Sequence, residues 1–160
     1  MGDKDQTMDL EIKVKVKILS GMIGAGIRFP GYATAGSAGI DLPACLSEPV
    51  TVLPGARVVV QTGIALDIPD RSIAGLVFPR SGLATKHGIS LANAVGIIDS
   101  DYKGEVLVAV HNQSDQPYTI NPGERIAQLL FMPVCHAVLE PASELSASDR
   151  GAGGFGSTGK

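Results

Sequence analysis

Pro79-Arg80-Ser81-Gly82 places a guanidinium, a hydroxyl and a glycine N–H on one turn. A phosphate oxygen accepts from all three donors. Further along, Gly96-Ile-Ile-Asp-Ser-Asp-Tyr-Lys-Gly-Glu-Val106 runs from apolar residues into Asp99, Asp101 and Tyr102, so a buried strand is expected to end in two acids and an aromatic ring. Ala38-Gly-Ile-Asp-Leu-Pro-Ala44 carries Asp41, and Gly123-Glu-Arg-Ile-Ala-Gln128 ends in an amide that both donates and accepts. In the tail, Arg150, Phe155, Ser157 and Thr158 stand among glycines. A guanidinium, an aromatic plane and two hydroxyls suit a lid over a base and a phosphate chain.

Each group also has a plainer account. Ser81 can cap a short helix ended by Gly88, with Arg80 paired to a surface carboxylate. Asp99 fits a turn, Tyr102 a packing position, Asp41 a turn or an arginine partner, and Arg125 a tie between strands. The tail reads by composition as a Gly/Ser linker. Two strings within it mislead. Gly151-x-Gly153-x-x-Gly156 lacks the βαβ context of a dinucleotide site, and Gly154-x-x-x-x-Gly159-Lys160 ends where a P-loop helix would begin. His87, His111 and His136 show no metal-ligand spacing and are assigned to structure. Cys45 and Cys135 form no C-x-x-C pair and are expected as buried free thiols.

These residues must be positioned mostly by strands. Residues 11–18 alternate strictly, with Ile12, Val14, Val16 and Ile18 on one face, which predicts a half-buried strand. Short apolar runs recur at 49–53, 56–61, 63–68, 73–78, 95–98, 105–111, 117–120 and 126–139 between turn signals. Twenty glycines and ten prolines serve many tight turns and nearly exclude long helices, except one or two turns at 81–88. With 44% hydrophobic but only 4% aromatic residues, the core is built from aliphatic side chains. The 160 residues are expected to form one domain, with 1–10 flexible and 141–160 a C-terminal arm. A net charge of -3 argues against coating nucleic acid. The charged first twenty residues and the lack of a long apolar run predict a soluble, cytoplasmic protein that does not enter a membrane.

Together with the tail, the four internal stretches resemble the five sequence motifs of the trimeric dUTPase family, in order, from about residue 38 to 159. The resemblance implies an all-β, distorted jelly-roll-like β-barrel with at most one short helix and a glycine-rich C-terminal arm. It implies hydrolysis of dUTP to dUMP and pyrophosphate, which keeps uracil out of DNA and supplies dUMP for thymidylate synthesis. By this similarity Asp99 is the general base. Arg80, Ser81 and Gly82 hold the α- and β-phosphates, and Gln128 also meets phosphate. Asn93, with backbone groups of its hairpin that include Ile98, reads uracil, and Tyr102 packs on the deoxyribose. Asp41 is a supporting acid, while Arg150, Phe155, Gly156, Ser157 and Thr158 close over the substrate. Mg2+ would be held by phosphates and water without a direct protein ligand. Three sites would lie at the subunit interfaces of a homotrimer, each covered by another chain's tail.

The nearest rival is a dCTP deaminase, which shares the fold but needs an acid/base group facing the base ring. A nucleotide-sensing β-module without turnover and a purely structural β-barrel are the other readings. The aspartate–tyrosine hairpin and the complete Phe155 tail favour dUTP hydrolysis.

Overall fold

A computed structural model of the chain describes residues 11–154. The secondary structure comprises β1 (Lys15–Ile18), β2 (Gly31–Tyr32), β3 (Ile40–Pro43), β4 (Val50–Val52), β5 (Arg57–Asp67), β6 (Ile73–Pro79), α1 (Ser81–His87), β7 (Ile89–Leu91), β8 (Gly96–Ile98), β9 (Glu105–Asn112), β10 (Tyr118–Ile120) and β11 (Arg125–Pro133). The strands form a four-stranded sheet ordered β1-β5-β9-β7, a five-stranded sheet ordered β2-β3-β11-β6-β8, and a β10-β4 pair. The arrangement is all-β and jelly-roll-like, although the ladders remain open sheets and do not close into a barrel. No helix among the described residues is long and apolar enough to cross a membrane.

The core is aliphatic, as the composition requires. Val60, Ile64, Val106, Val108 and Val110 from the first sheet meet Leu42, Val77, Ile126 and Leu129 from the second, with Ile120 and Val52 closing one end. Alternation along β9 buries Val106, Val108 and Val110 and turns Leu107 outward. Two polar side chains share this interior. Thr62 donates to the Val106 carbonyl at 2.6 Å, and the Asn112 amide donates to the carbonyls of Val52 and Gln116. Each hydrogen bond offsets the desolvation of a buried polar group.

Several expectations need correction. The runs 56–61 and 63–68 form one strand, because Gly63 adopts φ +71° and absorbs a register shift against β9. Only a bare glycine fits there, since a Cβ would lie 2.7 Å from Cys45 Sγ. Regular structure in 11–18 is confined to β1, which pairs with β5 but leaves Val16 and Ile18 exposed, because no layer among the described residues covers this edge of the sheet. The run 126–139 stops as a strand at Pro133. β2, β3 and β7 were not anticipated, being too short or too rich in Gly and Pro to show a period. Cys45 is buried, whereas Cys135 is exposed beyond the last strand.

Candidate active site

The phosphate-type donors gather where β3, β11 and β6 lie side by side. Asp41 of β3 is directly opposite Gln128 of β11, which is opposite Phe78 of β6. Directly opposed residues of antiparallel strands share a face, so Asp41 and Gln128 stand together. The Gln128 amide donates to the Pro79 carbonyl at 3.1 Å, and it packs so closely on Gly39 that a Cβ there would lie 2.7 Å from its oxygen. Arg80 Nε donates to Asp41 Oδ1 at 3.0 Å, and Arg125 Nη1 donates to Oδ2 at 2.8 Å. Two guanidiniums share one carboxylate, leaving a net positive charge on this corner. Arg28 and Phe29 line the adjoining cleft with Asp41 and Arg125.

Arg80, not Ser81, occupies the N-cap of α1, and its side chain makes no capping bond. A guanidinium has donors only and cannot accept from the helix N–H groups, so the side chain is left to turn to Asp41. Ser81 and Gly82 follow as exposed first-turn residues, ahead of the first helical bond from Ala84 N–H to the Arg80 carbonyl at 3.0 Å. Their N–H groups have no partner within the helix. Gly88 ends α1 in the left-handed conformation at φ +65°, as the sequence predicts.

The second cluster surrounds β8, an edge strand of the five-stranded sheet. Its Ile98 side chain is buried against Gly75, so Ile98 presents only backbone to a ligand. Ile97 is 69% exposed, contrary to the buried run expected, because nothing among the described residues covers the outer face of the edge strand. Ahead of β8, Asn93 sits in a turn in which Ala94 takes φ +60°. This left-handed conformation costs a non-glycine residue about 1 kcal/mol. The Asn93 amide reaches over the α-carbon of Gly96. After β8, Asp99 is exposed and its carbonyl accepts from the Tyr102 N–H at 3.1 Å. The Tyr102 hydroxyl donates to the Glu105 carbonyl at 2.9 Å.

Three residues that sequence reasoning did not single out hold this hairpin. Lys103 Nζ donates to the Ser100 carbonyl and to Asp67 Oδ1, both at 2.7 Å. The Lys103 hydrogen bond and charge hold the Asp67 carboxyl below its ordinary pKa. The Glu105 carboxylate accepts from Gly63 N–H at 2.8 Å and from the Gln61 amide at 3.2 Å, filling the β5 bulge. Lys103 and Glu105 lay within a motif-bearing stretch, but no signal marked Asp67, whose partner is 36 residues away.

The two clusters lie apart within one chain. β8 is antiparallel to β6 with Ile98 facing Gly75, five residues before Arg80. Asp99 lies one residue further on, so at roughly 3.3 Å per residue about 20 Å of strand separates it from the Arg80 loop. Beyond Pro133 the chain is exposed, anchored by Val134 N–H to the Ser72 carbonyl at 2.8 Å and His136 Nε2 to the Arg71 carbonyl at 2.6 Å. Arg150 is exposed in a turn of this tail. Phe155, Gly156, Ser157 and Thr158 lie outside the described residues.

A family model described as dUTPase matches residues 26–159. The chain belongs to the dUTPase family. It is 52% identical over 149 residues to the deoxyuridine 5'-triphosphate nucleotidohydrolase of Acinetobacter baylyi, covering 93% of this chain and 99% of that protein. It is 51% identical to the enzyme of the same name from Cronobacter sakazakii, covering 92% and 97%. Among solved structures, the dUTPase of Staphylococcus bacteriophage 80alpha with dUPNHPP superposes with TM-score 0.81 at 29% identity, over 92% of this chain and 99% of that one. The dUTPase of phage phi11 of S. aureus, described with a structural Mg(II) ion, shares the fold with TM-score 0.73 at 23% identity, over 85% and 100%. This dUTPase hydrolyses dUTP to dUMP and pyrophosphate.

Proposed function

We propose that dUTP lies along the outer edge of β8, its uracil toward Asn93 and its sugar against Tyr102, and that Asp99 takes the proton from a water attacking the α-phosphorus. An edge strand carries unpaired N–H and C=O groups, and the polar rim of uracil can pair with them in alternation. Cytosine would leave such groups unsatisfied. Tyr102 at C2′ leaves no room for a ribose hydroxyl, so UTP is excluded sterically. Arg80, Ser81, Gly82, Gln128 and Arg150 hold the phosphates and offset the charge that develops as pyrophosphate leaves. Asp41 supports them by fixing Arg80.

The observation that carries this reading is the polarity of β8. A nucleotide with its base at Asn93 and sugar at Asp99 directs its triphosphate away from the Arg80 end of the same chain, since Gly96 faces Val77 and Ile98 faces Gly75. The phosphate donors must therefore come from another copy. We assign the assembly as a homotrimer with three shared sites, each covered by the tail of a further chain through Arg150, Phe155, Gly156, Ser157 and Thr158.

Among the described residues no three His, Cys, Asp or Glu side chains come together as a metal cage, and Asp41 is committed to two arginines. This donor set fits a Mg2+ that arrives on the triphosphate with its own waters, where it neutralises phosphate charge.

Mixing subunits tests the shared site. Asp99→Asn and Arg80→Ala, each nearly inactive alone, are unfolded together and refolded as mixed assemblies. About a quarter of sites drawing on two chains at random regain both groups, so hydrolysis returns. Mixed assemblies as inactive as their parents would place both groups in one chain's site and end the reading.

A further inference from the structure

We infer that the missing side chain at Gly104 sets the discrimination between deoxyribose and ribose by seating the Tyr102 ring, an inference that rests on the proposed role of Tyr102 as the wall at C2′. A Cβ built on Gly104 would lie 2.6 Å from the Tyr102 hydroxyl oxygen, 2.7 Å from Cζ and 3.0 Å from Cε2. The three nearest atoms all belong to the outer end of one ring. Ordinary carbon contacts begin near 3.5 Å, so an alanine would drive the ring tip away by about 1 Å.

The geometry assigns that movement to the side chain and not to the main chain. Gly104 is not among the glycines of positive φ, so its backbone suits an L-residue. The root of Tyr102 is pinned by its N–H on the Asp99 carbonyl at 3.1 Å. The following residue, Glu105, is fixed in the β5 bulge by Gly63 and Gln61. Only the ring is free to yield, and in yielding it loses the bond from its hydroxyl to the Glu105 carbonyl. Gly104 is thus a positioning residue. With its tip against a bare α-carbon and its hydroxyl on the next carbonyl, the ring has one seat, and a wall held in one place rejects a single extra hydroxyl.

The test compares kcat/KM for dUTP and UTP in the full-length enzyme carrying Gly104→Ala, Tyr102→Ala, both, or Tyr102→Phe, with thermal midpoint and assembly size measured on each. Gly104→Ala is expected to lower the dUTP-to-UTP preference at least tenfold at unchanged assembly size, and to lower it no further once Tyr102 is already alanine. Tyr102→Phe, which keeps the ring but frees it from Glu105, is expected to lower the preference several-fold, and it reads out the same seat if Gly104→Ala does not fold. An unchanged preference in Tyr102→Ala would remove the sugar-wall reading and the inference with it. A loss in Tyr102→Ala with none in Gly104→Ala or in Tyr102→Phe would overturn the inference alone. So would an equal loss from Gly104→Ala with and without the Tyr102 ring, since the glycine would then act through the fold.

Discussion

Asp41 and Arg80, 39 residues apart, meet through Oδ1 and Nε at 3.0 Å, with the Asp41 side chain 14% exposed and that of Arg80 29%. The same carboxylate receives Arg125 through its other oxygen. Arg80, the arginine proposed to grip phosphate, is therefore held from behind by an acid that is itself held, and the loop before α1 starts from a fixed guanidinium.

Replacing Asp41 by Asn removes the charge but keeps the shape. Two guanidiniums then face each other without their counter-ion, and Arg80 loses its fixed direction. Charge-assisted bonds of this kind contribute about 1.5–3 kcal/mol each, so KM for dUTP is expected to rise about tenfold and the thermal midpoint to fall by several degrees. Steady-state kinetics and a melting curve read both. An unchanged KM would separate Asp41 from the phosphate grip.

Asp99 is exposed, which separates its chemistry from stability. Asp99→Asn is expected to lower kcat by about 10²–10⁴-fold, the usual worth of a general base, while KM and the thermal midpoint stay close to wild type. Near-normal turnover would exclude Asp99 as the base.

Removing residues after Asp149 leaves intact both bonds that anchor the start of the tail, Val134 to Ser72 and His136 to Arg71. Gel filtration should therefore show an unchanged assembly, and kcat/KM should fall at least tenfold because the lid is gone. Full activity in the truncated enzyme would sink the lid.

Burial first, and then the hydrogen bond to Glu124, push the Tyr118 phenol up to about 12 from an ordinary value of 10.0. A raised folded-state pKa gives stability that is whole below the unfolded value and is lost as pH rises through the folded one. Denaturant titrations of wild type and Tyr118→Phe should therefore differ by a constant amount up to about pH 10 and converge between 10 and 12. A gap that persists unchanged at pH 12 would mean the phenol ionises alike in both states.

What was legible in the sequence divides along a physical line. Apolar periods reveal strands whose two faces differ, so β4, β6, β9 and β10 were readable, as was the Gly88 end of α1. Two runs that looked separate at 56–61 and 63–68 join through Gly63, because a bulge has the composition of a turn. The motifs mark Asp99 and Arg80 as site candidates but carry no sign that the two lie at opposite ends of a strand pair, a fact of register. Ser81 was read as a possible cap because serine favours that position. The helix instead starts one residue earlier, with Arg80 at the N-cap and its side chain turned to Asp41, far away in sequence. Lys103 with Asp67, and Glu105 with Gly63, were invisible for the same reason: side-chain partners in different strands leave no local pattern.

β8 has a last consequence. An uncovered strand edge is an invitation to aggregation, since a stray strand from any neighbour can zip onto it. β8 leaves its edge open for only three residues, between a turn and the acidic Asp99–Asp101 segment. That is too short a rail for a passing polypeptide to grip, and long enough for a single flat ring. Brevity lets the protein carry an adhesive edge between visits of its ligand without becoming sticky.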